Sequence, residues 1–190
     1  MSDSLITHIK KYVPLNEQEI SIIKECVQEL AVKKKEYLLK EGQICKANYF
    51  VEKGCLRMFF VGNKGEEQIT QFALENWWIS DYNSLMSQSP SGFYIQTIEP
   101  CSIIALTHQQ HEKLASYVPA VEQYFRIIYQ RAYSAAQQRI KYLYDFSREE
   151  MYRHFQQHYP TFVNRIPQYM IASFLGFTPE YLSEIRKKKQ

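Results

Sequence analysis

Residues 168–187 read QYMIASFLGFTPEYLSEIRK, and this stretch decides the C-terminal fold. Two short helices that cross steeply need a small residue at the contact, supplied by Ala172, and a tight turn with positive φ, supplied by Gly176. Ile171, Leu175, Phe177, Leu182 and Ile185 form the inward apolar set. Thr178-Pro179-Glu180 then opens a second helix with a hydroxyl cap, Pro at the first helical position and a carboxylate near the positive dipole end. This spacing predicts a helix-turn-helix, whose second helix meets base edges while flanking groups hold phosphates. The candidate DNA-contacting residues are Gln168, Thr178, Glu180, Tyr181, Ser183, Glu184, Arg186, Lys187 and Lys188. Glutamate accepts from the cytosine amino group, and the basic run 186–189 supplies the cations that two acidic residues need beside a polyanion. The competing reading is a plain helical hairpin with a solvated basic tail.

Upstream, residues 120–146 contain no Gly or Pro, and Val121, Phe125, Ile128, Ala132, Ala135, Arg139, Tyr142 and Phe146 recur at spacings of four and three. This is a coiled-coil-like seam. It predicts a long helix with a dimer interface at Phe125, Ile128, Ala132, Ala135 and Arg139, the alternative being that the stripe packs on the chain's own body. Ser147 with Glu150, and Thr107 with Gln110, have the spacing of capping boxes, the first opening a helix that runs to about Tyr159 and the second a short helix ending before Pro119.

Between Glu36 and Leu106 the pattern changes to short β-rich runs: EYLL, NYFVEKG, CLRMFFV, EEQITQFAL, FYIQTI and SIIAL. Gly62-Asn63-Lys64-Gly65 has the composition of a hairpin turn. Ahead of them, Asn16 is a plausible cap for a helix carrying Ile20, Ile23, Val27 and Leu30, with Lys33-Lys34-Lys35 as its solvated end. The predicted class is α+β: an N-terminal double-stranded β-helix (jelly-roll) barrel with flanking helices, a long dimerisation helix and a C-terminal helix-turn-helix. The expected domains are a sensor domain over 1–118, the dimerisation helix over 119–146 and the DNA-binding domain over 147–190.

Composition narrows the function. No apolar run in the 190 residues approaches the roughly 20 that a membrane helix needs, and the N-terminus lacks the apolar core of a secretory signal, so a cytoplasmic protein without membrane contact is expected. Residues 1–119 carry net charge −2 and residues 120–190 carry +5, which places a polyanion partner on the C-terminal side. Cys26, Cys45, Cys55 and Cys101 lie far apart, as reduced thiols rather than a zinc or iron–sulfur site. Glu150, His154 and His158 share a helix face that could hold a metal, but with no fourth ligand of suitable spacing a solvated face is the reading, and no metal or cofactor is expected. There is no nucleophile elbow, phosphate-binding Gly loop or suggestive carboxylate pair, so no enzymatic activity is expected.

These residues carry a resemblance. LLKEGQICKANYFVEKGCLRMFF is similar to the Crp/Fnr family's pattern of a Gly, an aromatic–x–Val strand and a second Gly, carried by Gly42, Phe50, Val51 and Gly54, and IPQYMIASFLGFTPEYLSEIRKK resembles a short-tailed branch of that family. The resemblance runs from about Tyr12 to the end. It implies a cyclic-nucleotide-binding-like sensor, a homodimer, an inverted-repeat DNA operator and RNA polymerase as a further partner. Two departures qualify it. Ser80-Asp81 stands where the family's Gly-Glu pair would bind ribose and phosphate, and Ser91-Gly92 where its phosphate-binding Arg would fall. Without that guanidinium a buried phosphate loses its bidentate partner, so Ser80, Asp81, Ser91 and Gly92 imply a pocket for an unknown small-molecule effector other than cyclic AMP, or for none. Trp77, Trp78, Phe93 and Tyr94 would suit an apolar or aromatic effector if they are not simply core. The family's reading arginines are also absent around Thr178-Pro179-Glu180-Tyr181, so its usual operator does not carry over. The alternative function is a protein-interaction module without DNA binding.

Overall fold

The computed structural model describes residues 3–187. Eight strands form two four-stranded antiparallel sheets. The first has the order β1 (Gln28–Val32), β8 (Cys101–Thr107), β3 (Ala47–Lys53), β6 (Trp78–Ile79); the second has the order β2 (Tyr37–Leu39), β7 (Tyr94–Thr97), β4 (Leu56–Val61), β5 (Glu67–Ala73). Nine helices are described: α1 (Asp3–Lys10), α2 (Glu17–Cys26), α3 (Tyr82–Ser87), α4 (His108–Tyr117), α5 (Pro119–Asp145), α6 (Arg148–His158), α7 (Pro160–Arg165), α8 (Gln168–Leu175) and α9 (Pro179–Lys187). Among the described residues no helix is long and apolar enough to cross a membrane.

The chain forms two compact units, one running as far as Phe60 and resuming over Gln71–Gln130, the other made of Val61–Thr70 and the chain from Arg131 on. In the first, strand alternation sorts side chains into two cores. Ala47, Tyr49 and Val51 of β3, with Ile103 and Ala105 of β8, join residues from every other strand in one core enclosed by the sheets. Phe50, Trp78, Ile104 and Leu106 point the opposite way and pack with α1, α2, α4 and α5 around Ile23, Val121 and Phe125. Strand β3 is therefore buried on both faces, which is why its sequence shows little polar alternation. The two layers are pinned at Tyr124, whose hydroxyl accepts from Trp78 Nε1 at 2.7 Å and lies 2.8 Å from His8 Nδ1.

Local signals act where they were expected, with two corrections. Asn16, Thr107 and Ser147 each cap a helix through a reciprocal capping box. However, α2 stops at Cys26, and Val27 and Leu30 do not continue it, because residues 28–32 pair with β8 as a full strand. The Lys33–Lys35 run is accordingly a turn between strands, with Lys35 at φ +66°, and not a helix end. Helices α3 and α7 and strand β6 have no counterpart in the sequence reading. All four cysteines are buried thiols that form no disulfide.

Candidate nucleic-acid interface and effector site

Helix α8 ends where Gly176, at φ +75°, turns the chain; its N–H reaches the Ser173 carbonyl at 3.1 Å, and the Phe177 N–H returns to the Ala172 carbonyl at 2.8 Å. Helix α9 begins one turn later, with Pro179 in its first position and the Thr178 hydroxyl accepting from the Tyr181 N–H at 3.2 Å. Ala172 is fully buried, and Ile171, Leu175, Phe177, Leu182 and Ile185 are all inward. Thr178, Glu180, Ser183, Glu184, Arg186 and Lys187 face solvent. Tyr181 is half-buried, edge-on to Phe177 and under the Arg148 guanidinium. Gln168 is also half-buried, with its Oε1 turned inward and without a hydrogen-bond partner. Lys188 lies outside the described residues.

The same unit contains a clasp that sequence reasoning missed. The Ser173 hydroxyl donates to the Glu67 carbonyl at 2.6 Å and accepts from the Ile69 N–H at 2.9 Å. Gln68 Nε2 donates to the Ser173 carbonyl. Arg139, from α5, donates to the Thr70 carbonyl and, at 2.8 Å, to the Phe174 carbonyl, with its guanidinium 4.1 Å from the Phe174 ring centroid. Burial lowers the Arg139 pKa from its ordinary value. The Ser173 contacts satisfy two backbone groups on the outer edge of β5, and Arg139 ties α5 to Thr70 and to α8. Their partners lie as far as 106 residues apart in the chain, so no local motif announces them.

The seam residues of α5 divide. Phe125 is buried in the chain's own helix-side core and Ile128 packs partly against it, whereas Ala132 and Ala135 are exposed and Arg139 belongs to the clasp. The exposed apolar stripe lies one residue further on, at Tyr133, Ala136, Ile140 and Leu143. Tyr133, Ile140 and Leu143 are each more than half exposed, at 67%, 56% and 53%. In the C-terminal half of α6, His154 stacks on His158 with centroids 3.9 Å apart and contacts Tyr142 at 4.4 Å. Among the described residues, no group of three or more His, Cys, Asp or Glu side chains is placed to hold a metal ion.

In the first unit, Ser80, Asp81 and Ser91 are buried together. Asp81 caps α3 by accepting from the Ser84 N–H at 3.2 Å through one oxygen, and accepts from the Ser91 hydroxyl at 2.6 Å through the other. Ser80 donates to the Ala47 carbonyl at 3.1 Å. Gly92 has open space beside its Cα. Both oxygens of Asp81 are thus engaged within the chain, by the Ser84 N–H and the Ser91 hydroxyl. The four aromatics are not gathered into one lining. Trp78 lies in the helix-side core, Trp77 is exposed, Tyr94 stacks on Phe59 and Phe93 contacts Phe60 edge-on.

Residues 29–117 match the cyclic nucleotide-binding domain family. No curated protein matches the sequence. Among solved structures, the chain is similar to the catabolite activator protein of Thermus thermophilus (16% identity, 95% of this chain and 85% of that one, TM-score 0.59). It is also similar to FixK2 of Bradyrhizobium japonicum (18%, 85% and 83%, TM-score 0.68). A third is a protein described as a Crp/Fnr-family transcriptional regulator from Eubacterium rectale (15%, 94% and 87%, TM-score 0.70). Residues 29–117 thus resemble a cyclic nucleotide-binding domain, and the chain is similar in fold to these solved structures, one of them described as a Crp/Fnr-family regulator.

Proposed function

We propose that the chain is a cytoplasmic, non-enzymatic transcription regulator that binds DNA as a homodimer. On this reading the sheets are a jelly-roll sensor barrel, and α8 and α9 are a helix-turn-helix with α9 as the recognition helix. The observation that carries it is the capped, Gly-turned helix pair, which leaves Thr178, Glu180, Ser183, Glu184, Arg186 and Lys187 exposed. Likeness to transcription regulators over nearly the whole chain weighs against a protein-interaction module without DNA. The stripe at Tyr133, Ala136, Ile140 and Leu143 supplies the dimer contact, with Ala132 and Ala135 at its flank. A dimer would place two recognition helices about 34 Å apart on an inverted repeat. RNA polymerase would be a further partner. The Asp81–Ser91 hydrogen bond supports a sensor that does not respond to cyclic AMP.

The test is fluorescence-anisotropy binding to a duplex DNA pool at two salt concentrations, with a variant truncated after Phe177 alongside. Salt-sensitive binding that disappears on truncation is expected. Equal binding by both proteins, or none by either, overturns the reading.

A further inference from the structure

The N-terminal part of a recognition helix enters the groove, and in α9 that part has no cation of its own. Residues 178–184 include two acids, Glu180 and Glu184, both exposed, while Arg186 and Lys187 stand in the last turn. Among the described residues neither acid makes an ion pair. Two uncompensated carboxylates would oppose the approach of a phosphate backbone.

Arg148 stands against this stretch from outside the helix pair. It is the first residue of α6, it is exposed, and its guanidinium carbon lies 5.3 Å from the centroid of the Tyr181 ring. Tyr181 is itself fixed: its N–H donates to the Thr178 hydroxyl at 3.2 Å, and its ring meets Phe177 edge-on at 5.7 Å. An aromatic face holds a guanidinium without neutralising it. Among the described residues Arg148 makes no ion pair. The two acids that follow it are engaged elsewhere, Glu149 with Arg153 at 3.5 Å and Glu150 with the Ser147 N–H at 2.8 Å. Leu182 and Ile185 point inward and Glu180, Ser183 and Glu184 outward, so half-buried Tyr181 lies on the flank of α9. Arg148 is thus an unneutralised cation beside the reading face, where a duplex presents phosphates and not base edges.

We infer that Arg148 is a phosphate-contacting residue of the DNA interface, its guanidinium held by Tyr181 to pair with a backbone phosphate beside the groove and to offset Glu180 and Glu184. This rests on the DNA-binding reading above. Such a contact strengthens binding to every sequence alike and leaves sequence choice to α9.

The experiment measures the affinity of the full-length protein for two unrelated duplexes across a salt series, by fluorescence anisotropy. Arg148→Gln should weaken both complexes by the same factor and make the slope of log affinity against log salt shallower by about 0.9, the share of one phosphate. Arg148→Lys, which keeps the charge, should hold the wild-type slope. Lys141→Gln removes an exposed cation already paired with Asp145 and should also leave the slope unchanged. A slope that Arg148→Gln does not alter overturns the inference and marks a residue that only supports Tyr181. An equal change in Lys141→Gln overturns it as an effect of net charge, and weakening confined to one duplex overturns it in favour of base reading. A wild type that binds neither duplex removes the DNA-binding reading as well, whereas a wild type whose binding and slope survive Arg148→Gln removes this inference alone.

Discussion

The Ser173 hydroxyl sits between two backbone groups of β5, donating to the Glu67 carbonyl at 2.6 Å and accepting from the Ile69 N–H at 2.9 Å. One side chain thus plays the part of a neighbouring strand for an i, i+2 pair. Ser173→Ala removes both bonds and should destabilise the protein by about 1 kcal/mol, read as a lower urea midpoint at unchanged slope. Arg139→Lys should cost a similar amount, because an ammonium cannot serve two carbonyls and a ring face as a planar guanidinium does. Unchanged midpoints in both variants would show that the clasp carries no stability.

The stripe on α5 makes a register-specific prediction. If the stripe is the proposed dimer contact, Ile140→Asp should yield a monomer in sedimentation analysis where the unaltered protein is a dimer, since it buries a charge at the centre of the stripe. Arg139→Met, one residue away, should leave the protein dimeric because its partners lie within the chain. The opposite pattern would return the seam to the 132–135–139 register.

Two glycines separate backbone strain from crowding. Gly176 has φ +75° and open space beside its Cα, so Gly176→Ala should cost about 1–2 kcal/mol from conformation alone. Gly54 has φ +107°, and an added Cβ would lie 2.5 Å from Cys101 Sγ and 2.9 Å from the Pro100 carbonyl. Gly54→Ala should therefore lower the thermal midpoint further than Gly176→Ala. Equal midpoints would contradict the crowding.

Stability should also fall on mild acidification. Burial holds His111 below its ordinary value of 6.5 with Glu122 opposing, and burial followed by the neighbouring His158 holds His154 below it. Above that value neither state is protonated and these groups contribute nothing. As pH falls through it, the unfolded chain takes up protons more readily than the folded one, and folding is penalised. Melts between about pH 7.5 and about pH 5.5 should show a falling midpoint, and His111→Gln/His154→Gln should flatten that dependence. A double variant as steep as wild type would assign the effect elsewhere.

What could be read from the sequence was set by distance along the chain. The caps at Asn16, Thr107 and Ser147 and the Gly176 turn act over three or four residues, so their signals survive in one dimension. Val27 and Leu30 fit a helical period as well as a strand, and only pairing with β8, more than 70 residues away, decides between them. The exposed face of α9 was legible for the same local reason as its cap. Arg139 and Ser173 were not, because their roles depend on neighbours from distant segments and nothing in their immediate sequence marks them. The Ser80-Asp81 and Ser91 departures were visible as residue types, but the hydrogen bond that joins Ser91 to Asp81 was not.

Strand β5 ends its sheet, and an uncovered last strand is a template for strands of other molecules. A chain ending at Phe177 loses α9 but keeps Ser173, and with it the cover over the Glu67 carbonyl and the Ile69 N–H. A chain cut before α8 would bare the Glu67 carbonyl and the Ile69 N–H and invite chain-to-chain aggregation. Through Ser173, helix α8 is thus a guard against self-polymerisation.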